Sequence, residues 1–271
     1  MKRNLIALTL GLLLLGGCAP APVTPEATPT PDTLVSVTPE ATPTPALSLE
    51  GHKLMVFCGA GMKLPFSDIA AAFQAETGCE VTLTFANAAQ IQTQINTAQE
   101  GDLFIAGSAE ELKPVKEFVS VSKDLVKHVP VLAVQKGNPK DIRGIADLAN
   151  QEIRLLLGDA ESTPIGKIGD KVLKDFGVFD KVNLVARTTT APAIVTALVA
   201  DECDAAIVWK ENAGKEAELV DTPDMGKYVK TVPAASLTFS ADTQALEEFL
   251  AYLDTAAAKD IWVQYGYEVL N

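Results

Sequence analysis

Residues 54–66, Leu54-Met55-Val56-Phe57-Cys58-Gly59-Ala60-Gly61-Met62-Lys63-Leu64-Pro65-Phe66, decide how the rest of the chain is read. Leu54–Phe57 is apolar without alternation, the pattern of a strand buried on both faces. Cys58-Gly59-Ala60-Gly61 follows, and its glycines let the backbone turn tightly. Pro65 suits a first helical turn, and Phe66, Ile69, Ala70 and Phe73 recur at helical spacing. A strand, a glycine turn and a helix in this order aim free backbone N–H groups at a ligand. Many α/β proteins contain one such turn, so the weight falls on whether it is repeated.

It is repeated. The strand Glu80–Phe85 ends in Ala86-Asn87-Ala88-Ala89 before a polar helix from Gln90 to Gln99. Gly101–Ala106 reads as a third strand, followed by Gly107-Ser108 and a helix over Ala109–Phe118. Asp102, which opens that strand after a glycine, reads as a turn residue rather than a catalytic one. Farther on, Val129–Val134 is a strand and Ile145–Leu148 a short helix. The strand Arg154–Asp159 meets Thr163-Pro164-Ile165-Gly166, with a helix from Lys167 to Phe176. The strand Asn183–Arg187 meets Thr189-Thr190-Ala191-Pro192, with Thr190 at the N-cap and Pro192 at the first helical position. Cys203–Trp209 and Val232–Phe239 are further strands, and a long helix covers Thr243–Ala256. Alternating strands and helices predict an α/β fold with mostly parallel sheets. Two turns lie in each half, so two facing lobes would converge four helix N-termini on one cleft. Each brings unpaired N–H groups and partial positive charge, which together form a trap for an anion built from neutral groups.

The first fifty residues differ from the rest. Met1-Lys2-Arg3 is a positive n-region and Leu5–Leu15 an apolar h-region too short to span a bilayer. It ends in Leu15-Gly16-Gly17-Cys18, which resembles the lipobox of bacterial lipoproteins. That resemblance implies cleavage before Cys18, lipid on its thiol, and a membrane-anchored extracytoplasmic protein, so residues 1–18 are expected to be a lipoprotein signal peptide. Residues 19–50 are rich in Pro and Thr, and the nonapeptide VTPEATPTP occurs twice, at Val23–Pro31 and Val37–Pro45. Such a tract buries no core and is expected to be an extended tether.

The chain carries 22 basic and 35 acidic residues, and loss of Lys2 and Arg3 leaves a charge near −15. That balance argues against nucleic acid and against a patch for anionic lipid. It leaves room for a small anion held by backbone donors. Besides Cys18 there are Cys58, Cys79 and Cys203, an odd set with no zinc-ligand spacing. Neither His52 nor His128 falls in a nucleophile or metal motif, and no cofactor is expected.

From about His52 to the C-terminus the chain resembles the molybdate-binding proteins of ABC importers, within the type II periplasmic binding-protein superfamily. The resemblance is carried by VFCGAGM (Val56–Met62), TFANAAQIQTQI (Thr84–Ile95), GDLFIAGS (Gly101–Ser108), GDAESTPIG (Gly158–Gly166), AIVWKENA (Ala206–Ala213) and QYGY (Gln264–Tyr267). It implies two α/β lobes with a ligand cleft between them: residues 51–133 plus 228–271 as lobe one, and 134–227 as lobe two. It implies a monomeric receptor that hands molybdate or tungstate to an ABC permease. In that family two serine hydroxyls, a tyrosine hydroxyl and backbone N–H groups hold the oxyanion. The corresponding positions here are Gly61, Ala88 and Trp209, with backbone donors at Ile165 and Ala191.

All three hydroxyls are therefore absent, and the expected ligand-binding set is Gly61, Met62, Asn87, Ala88, Ile165, Ala191 and Trp209. Replacement groups are sought in Cys58, Lys63, Ser162, Thr163 and Thr190. A thiol at Cys58 could meet a soft metal or thio-anion, and Lys63 would add a full charge. A different ligand in the same fold, or a sensor in place of a transport component, are the alternative readings. An enzyme would need an acid/base pair, for which Asp159 and Glu161 are the candidates.

Overall fold

The computed structural model describes Ser48–Leu270. Cys18, the signal segment and most of the tether lie outside the described residues. One six-stranded sheet holds β1 (Lys53–Gly59), β2 (Glu80–Ala86), β3 (Leu103–Ile105), β4 (Val119–His128), β10 (Lys230–Leu237) and β11 (Glu268–Val269). Its order is β11-β4-β10-β3-β1-β2. A five-stranded sheet holds β5 (Pro130–Gln135), β6 (Arg154–Gly158), β7 (Asn183–Thr188), β8 (Ala205–Trp209) and β9 (Ala217–Val220), in the order β7-β6-β8-β5-β9. The helices are α1 (Lys63–Thr77), α2 (Ala88–Ala98), α3 (Pro164–Asp175), α4 (Ala191–Val199), α5 (Lys210–Ala213), α6 (Thr243–Tyr252) and α7 (Ala256–Gln264).

Strand β1 is central because it pairs in parallel with β2 on one side and β3 on the other. That double pairing is why Leu54–Phe57 carries no polar face. α1 then packs its apolar stripe onto the sheet, and α6 and α7 complete the same core. Phe73 lies 4.7 Å from Phe249 between ring centroids, and Phe66 lies 6.0 Å from Phe249 and 6.2 Å from Trp262. Such pairs contribute about 0.5–1.5 kcal/mol each beyond burial. The second lobe has its own core, in which Leu155, Leu157, Ile165, Ile194, Ile207 and Val208 are buried.

The structure corrects several expectations. The sheets are mixed rather than mostly parallel: β10 runs antiparallel to β3 and β4, and β5 antiparallel to β8 and β9. The chain crosses between sheets at Val129, not after Ala133, because β5 already pairs with β8 from Pro130 onward. The apolar run Val129–Val134 carries no break in polarity, so sequence pattern alone does not mark the crossing. The return also differs by a residue, since Tyr228 packs in the second core and donates to Asp175 at 2.7 Å. Residues 109–118 form a 3-10 helix around Pro114 rather than an α-helix, since proline cannot supply an N–H inside a longer helix. Strand β4 is absent from the sequence reading because Ser120, Ser122, Lys123 and Asp124 make it look like a polar loop.

Candidate functional site

The four small-residue turns line one cavity of about 40 Å³ between the lobes. Gly59–Met62 and Ala86–Ala88 come from the first lobe, and Ser162–Ile165 and Thr189–Ala191 from the second. Each turn follows the C-terminal end of a parallel strand, the edge at which open α/β sheets place ligands. A space of that size holds a few waters or one ion of about five heavy atoms.

The local chemistry decides which donors remain free. Asn87 caps α2 by accepting from the Gln90 N–H at 2.9 Å, and Gln90 returns a bond to the Asn87 N–H at 3.3 Å. Thr163 caps α3 by accepting from the Gly166 N–H at 3.1 Å. Both caps use the third N–H of the helix and leave the first turn open at Ala88, Ala89 and Ile165. At α4, Thr190 stands at the N-cap but makes no side-chain cap bond. Pro192 is the second helical residue, not the first, and it has no N–H, so the open donors of that turn are Ala191 and Ala193, of which Ala191 lines the cavity.

Two proposed replacement hydroxyls are already engaged. Ser162 Oγ donates to Asp159 Oδ1 at 2.8 Å, and Thr163 Oγ1 donates to the Asp159 carbonyl at 2.7 Å. Asp159 also accepts from the backbone N–H groups of Glu161 and Ser162. The Ser162 hydroxyl bond, together with these, holds the Asp159 carboxyl below its usual range despite some burial. Asp159 therefore anchors the loop that starts α3. The loop is tight: a Cβ on Gly166 would lie 2.3 Å from the Asp159 carbonyl oxygen, which only glycine avoids. Thr190 lines the cavity with no such bond in place.

Gly61 marks where the lobes meet. The Asn212 side chain donates to the Gly61 carbonyl at 3.0 Å. A Cβ on Gly61 would sit 3.2 Å from Asn212 Oδ1 and 3.6 Å from the Ala191 Cβ. A serine here would press against the opposite lobe.

Cys58 and Lys63 are placed outside the cavity. Cys58 is fully buried in the first core, and burial pushes its thiol pKa well up, which removes the thiolate a soft metal needs. Lys63 is exposed and borders a separate open groove with Leu64, Pro192, Val199 and Tyr265. The cavity lining contains neither lysine nor arginine. Among the described residues, no cluster of three or more His, Cys, Asp or Glu side chains could hold a metal ion.

Three lining residues escaped the sequence reading: Gly107, Glu111 and His128. Glu111 is 6% exposed, and its Oε2 accepts from the Gly107 N–H at 2.7 Å. Burial pushes its carboxyl up to about 7, against the pull of the Gly107 bond, His128 and Lys167. His128 Nδ1 lies 2.9 Å from the Gly107 carbonyl, and a carbonyl only accepts, so this nitrogen carries the proton. Nε2 lies 2.7 Å from Glu211 Oε1, off the ring N–H axis, with both side chains almost sealed from solvent. Trp209 stacks on the other face of this arrangement and forms the cavity wall with its ring. The missed signal was a fifth turn: β3 is parallel to β1, so Gly107 opens at the same edge as the others.

Two α/β lobes, two strand crossings and a small cavity of helix N-termini between them define a bilobal solute receptor of the periplasmic binding-protein type. The chain belongs to the bacterial extracellular solute-binding protein family, whose profile matches residues 54–268. A Haemophilus influenzae protein named as a binding protein is 31% identical over 183 residues, covering 65% of this chain and 75% of that one. The molybdate-binding protein ModA of the same organism is 26% identical over 229 residues, with 79% and 89% covered. Among solved structures, the periplasmic molybdate-binding protein of Azotobacter vinelandii superposes with a TM-score of 0.66 at 14% identity, covering 80% of this chain and 100% of that one. The sulfate-binding protein SubI of Mycobacterium tuberculosis gives 0.71 at 18% identity, covering 81% and 88%. These likenesses place the chain in the fold that the molybdate- and sulfate-binding proteins share.

Proposed function

We propose that this protein is the extracytoplasmic receptor of an ABC importer and that it captures a tetrahedral oxyanion, molybdate or tungstate ahead of sulfate, between its lobes. It acts without catalysis, as a monomer tethered through lipid at Cys18, and delivers the ion to its permease. The observation that carries the reading is the convergence of four turns on one cavity of about 40 Å³ with no lysine or arginine among the described lining residues. Uncommitted N–H groups at Ala88, Ile165 and Ala191, with the turn at Gly61 and Met62, suit an ion with acceptors on every side. Asn87 and Thr190 are the side chains best placed to add donors, and Trp209 supplies the wall. Hydrogen bonds to a charged partner contribute about 1.5–3 kcal/mol each, so four or five of them replace the missing hydroxyls.

Calorimetry and thermal shift with molybdate, tungstate, sulfate and phosphate test the reading. Ligand at a hundred times its Kd stabilises a folded receptor by about 2.7 kcal/mol, a visible rise in Tm. Binding of molybdate or tungstate at least tenfold tighter than sulfate is expected. No heat and no shift with any of the four at millimolar concentration would defeat it.

A further inference from the structure

A carboxyl group inside an anion cavity needs an explanation, and Glu111 supplies the geometry for one. It sits on the 3-10 helix after β3, and that helix folds it back over the Gly107 turn. Among the described residues, Oε2 alone is engaged and Oε1 takes no hydrogen bond, and the side chain lines the cavity. The groups that face it from neighbouring elements are few. Cys58 approaches from β1 as a buried thiol, His128 from β4 is bonded to the Gly107 carbonyl with Nε2 beside but not bonded to the Glu211 carboxylate, and Lys167 from α3 is exposed. Glu110, on its own helix, pairs with Lys230 at 2.6 Å and adds a small upward push on Glu111. Among the described residues, no lysine or arginine pairs with the carboxyl.

Resting on the oxyanion reading above, we propose that Glu111 is a proton-linked ligand residue: its carboxyl carries a proton whenever a dianion fills the cavity. The protonated Oε1 then donates a hydrogen bond to a ligand oxygen, while Oε2 keeps its bond from Gly107. An ionised Glu111 would instead set a negative charge beside a dianion with little water between them. Burial has already raised this carboxyl to about 7, so a bound dianion needs to shift it only further in the same direction. Each dianion captured above that pH takes up one proton from solution. The same device disfavours the ion wherever the medium is alkaline.

The test is calorimetry of the purified protein with molybdate, which stays a dianion from pH 6 to 9. Titrations at pH 8.5 in two buffers of different ionisation enthalpy are expected to give one proton taken up per ion. Affinity is expected to fall about tenfold from pH 8 to 9 and to level off below pH 6.5. Glu111→Gln keeps the side-chain shape and offers an amide donor, so it is expected to bind with no proton uptake and a flat pH profile. Pairwise buffer titrations of the unmutated protein decide the question even if that variant folds poorly. Binding without proton uptake overturns the inference and leaves the oxyanion reading standing. Hydrogen phosphate binding that tightens between pH 8 and 9, where phosphate itself no longer changes charge, overturns it too, because Glu111 would then be accepting. A slope that survives Glu111→Gln and vanishes in His128→Gln assigns the proton to His128 and overturns it as well. Absence of binding by every oxyanion across pH 6–9 defeats this inference and the oxyanion reading together.

Discussion

The imidazole of His128 lies flat on the indole of Trp209, ring centroids 3.6 Å apart and planes inclined by 17°. His128 ends β4 in the first sheet and Trp209 ends β8 in the second. The stack therefore joins the two lobes at the floor of the cavity, one residue before the chain crosses at Val129.

That placement makes Trp209 an optical reporter. The chain has two tryptophans, and Trp262 is sealed in the first core beside Phe66 and Tyr267. Titration with molybdate is expected to change emission in the unmutated protein and in Trp262→Phe, but not in Trp209→Phe. An emission change that survives Trp209→Phe would place the ligand elsewhere.

Filling the cavity is expected to abolish binding without unfolding the protein. Ala88 lies at the start of α2 and lines the space, which has little room to spare. Ala88→Leu is expected to weaken ligand binding by a hundredfold or more while Tm moves by only a few degrees. Calorimetry and thermal melting read the two effects separately.

The hydroxyls around the cavity are expected to divide by what they already bond. Thr190→Val removes an uncommitted hydroxyl and is expected to cost about 1–2 kcal/mol of binding, roughly tenfold in Kd. Ser162→Ala removes a bond to Asp159 and is expected to lower Tm with a smaller change in Kd. Lys63→Ala is expected to leave Kd within about twofold, since its exposed charge is screened by salt. A loss of binding at Lys63 would favour a ligand held by charge.

Glu111 also sets a pH dependence of stability in the unliganded protein. Its folded value of about 7 lies above the usual carboxylate range, so the folded state holds the proton more tightly than the unfolded one. The contribution is fully present below about pH 4.5 and is lost as pH rises through about 7. The loss amounts to at most about 3 kcal/mol. Denaturant melts at pH 5 and 8 are expected to show Glu111→Gln flattening that part of the curve.

The thiols offer a simpler check. Cys58, Cys79 and Cys203 are free and buried, and burial raises each of them, Cys203 to about 12. A thiol reagent is expected to leave all three untouched in the native domain and to titrate three after denaturation of a chain starting at Leu49.

The β1 turn and its three counterparts were legible because glycine, proline and N-cap residues act locally, through backbone geometry. They carried the fold class and most of the cavity lining. What escaped depends on distant pairing. Strand β4 looks polar because its partners β10 and β11 lie more than a hundred residues away, and they alone make it a strand. Glu111 reads as a solvated residue of an acidic helix, since nothing local announces that Gly107 draws it inward. His128 reads as an isolated histidine until β8 brings Trp209 and Glu211 beside it. Ser162 and Thr163 looked available as ligands because their bonds to Asp159 close a loop that composition does not reveal.

The crossing strands have a mechanical consequence. His128 at the end of β4 is paired with Lys230 at the start of β10, and beyond the crossing Leu132 of β5 is paired with Val220 of β9. The two connections therefore run side by side, like adjacent pins on one spindle. Two adjacent connections favour a swing about one axis over sliding. Opening is expected to carry Gly61 away from Asn212 and Ala191, and a single distance across the mouth, measured by a pair of spin labels, checks it.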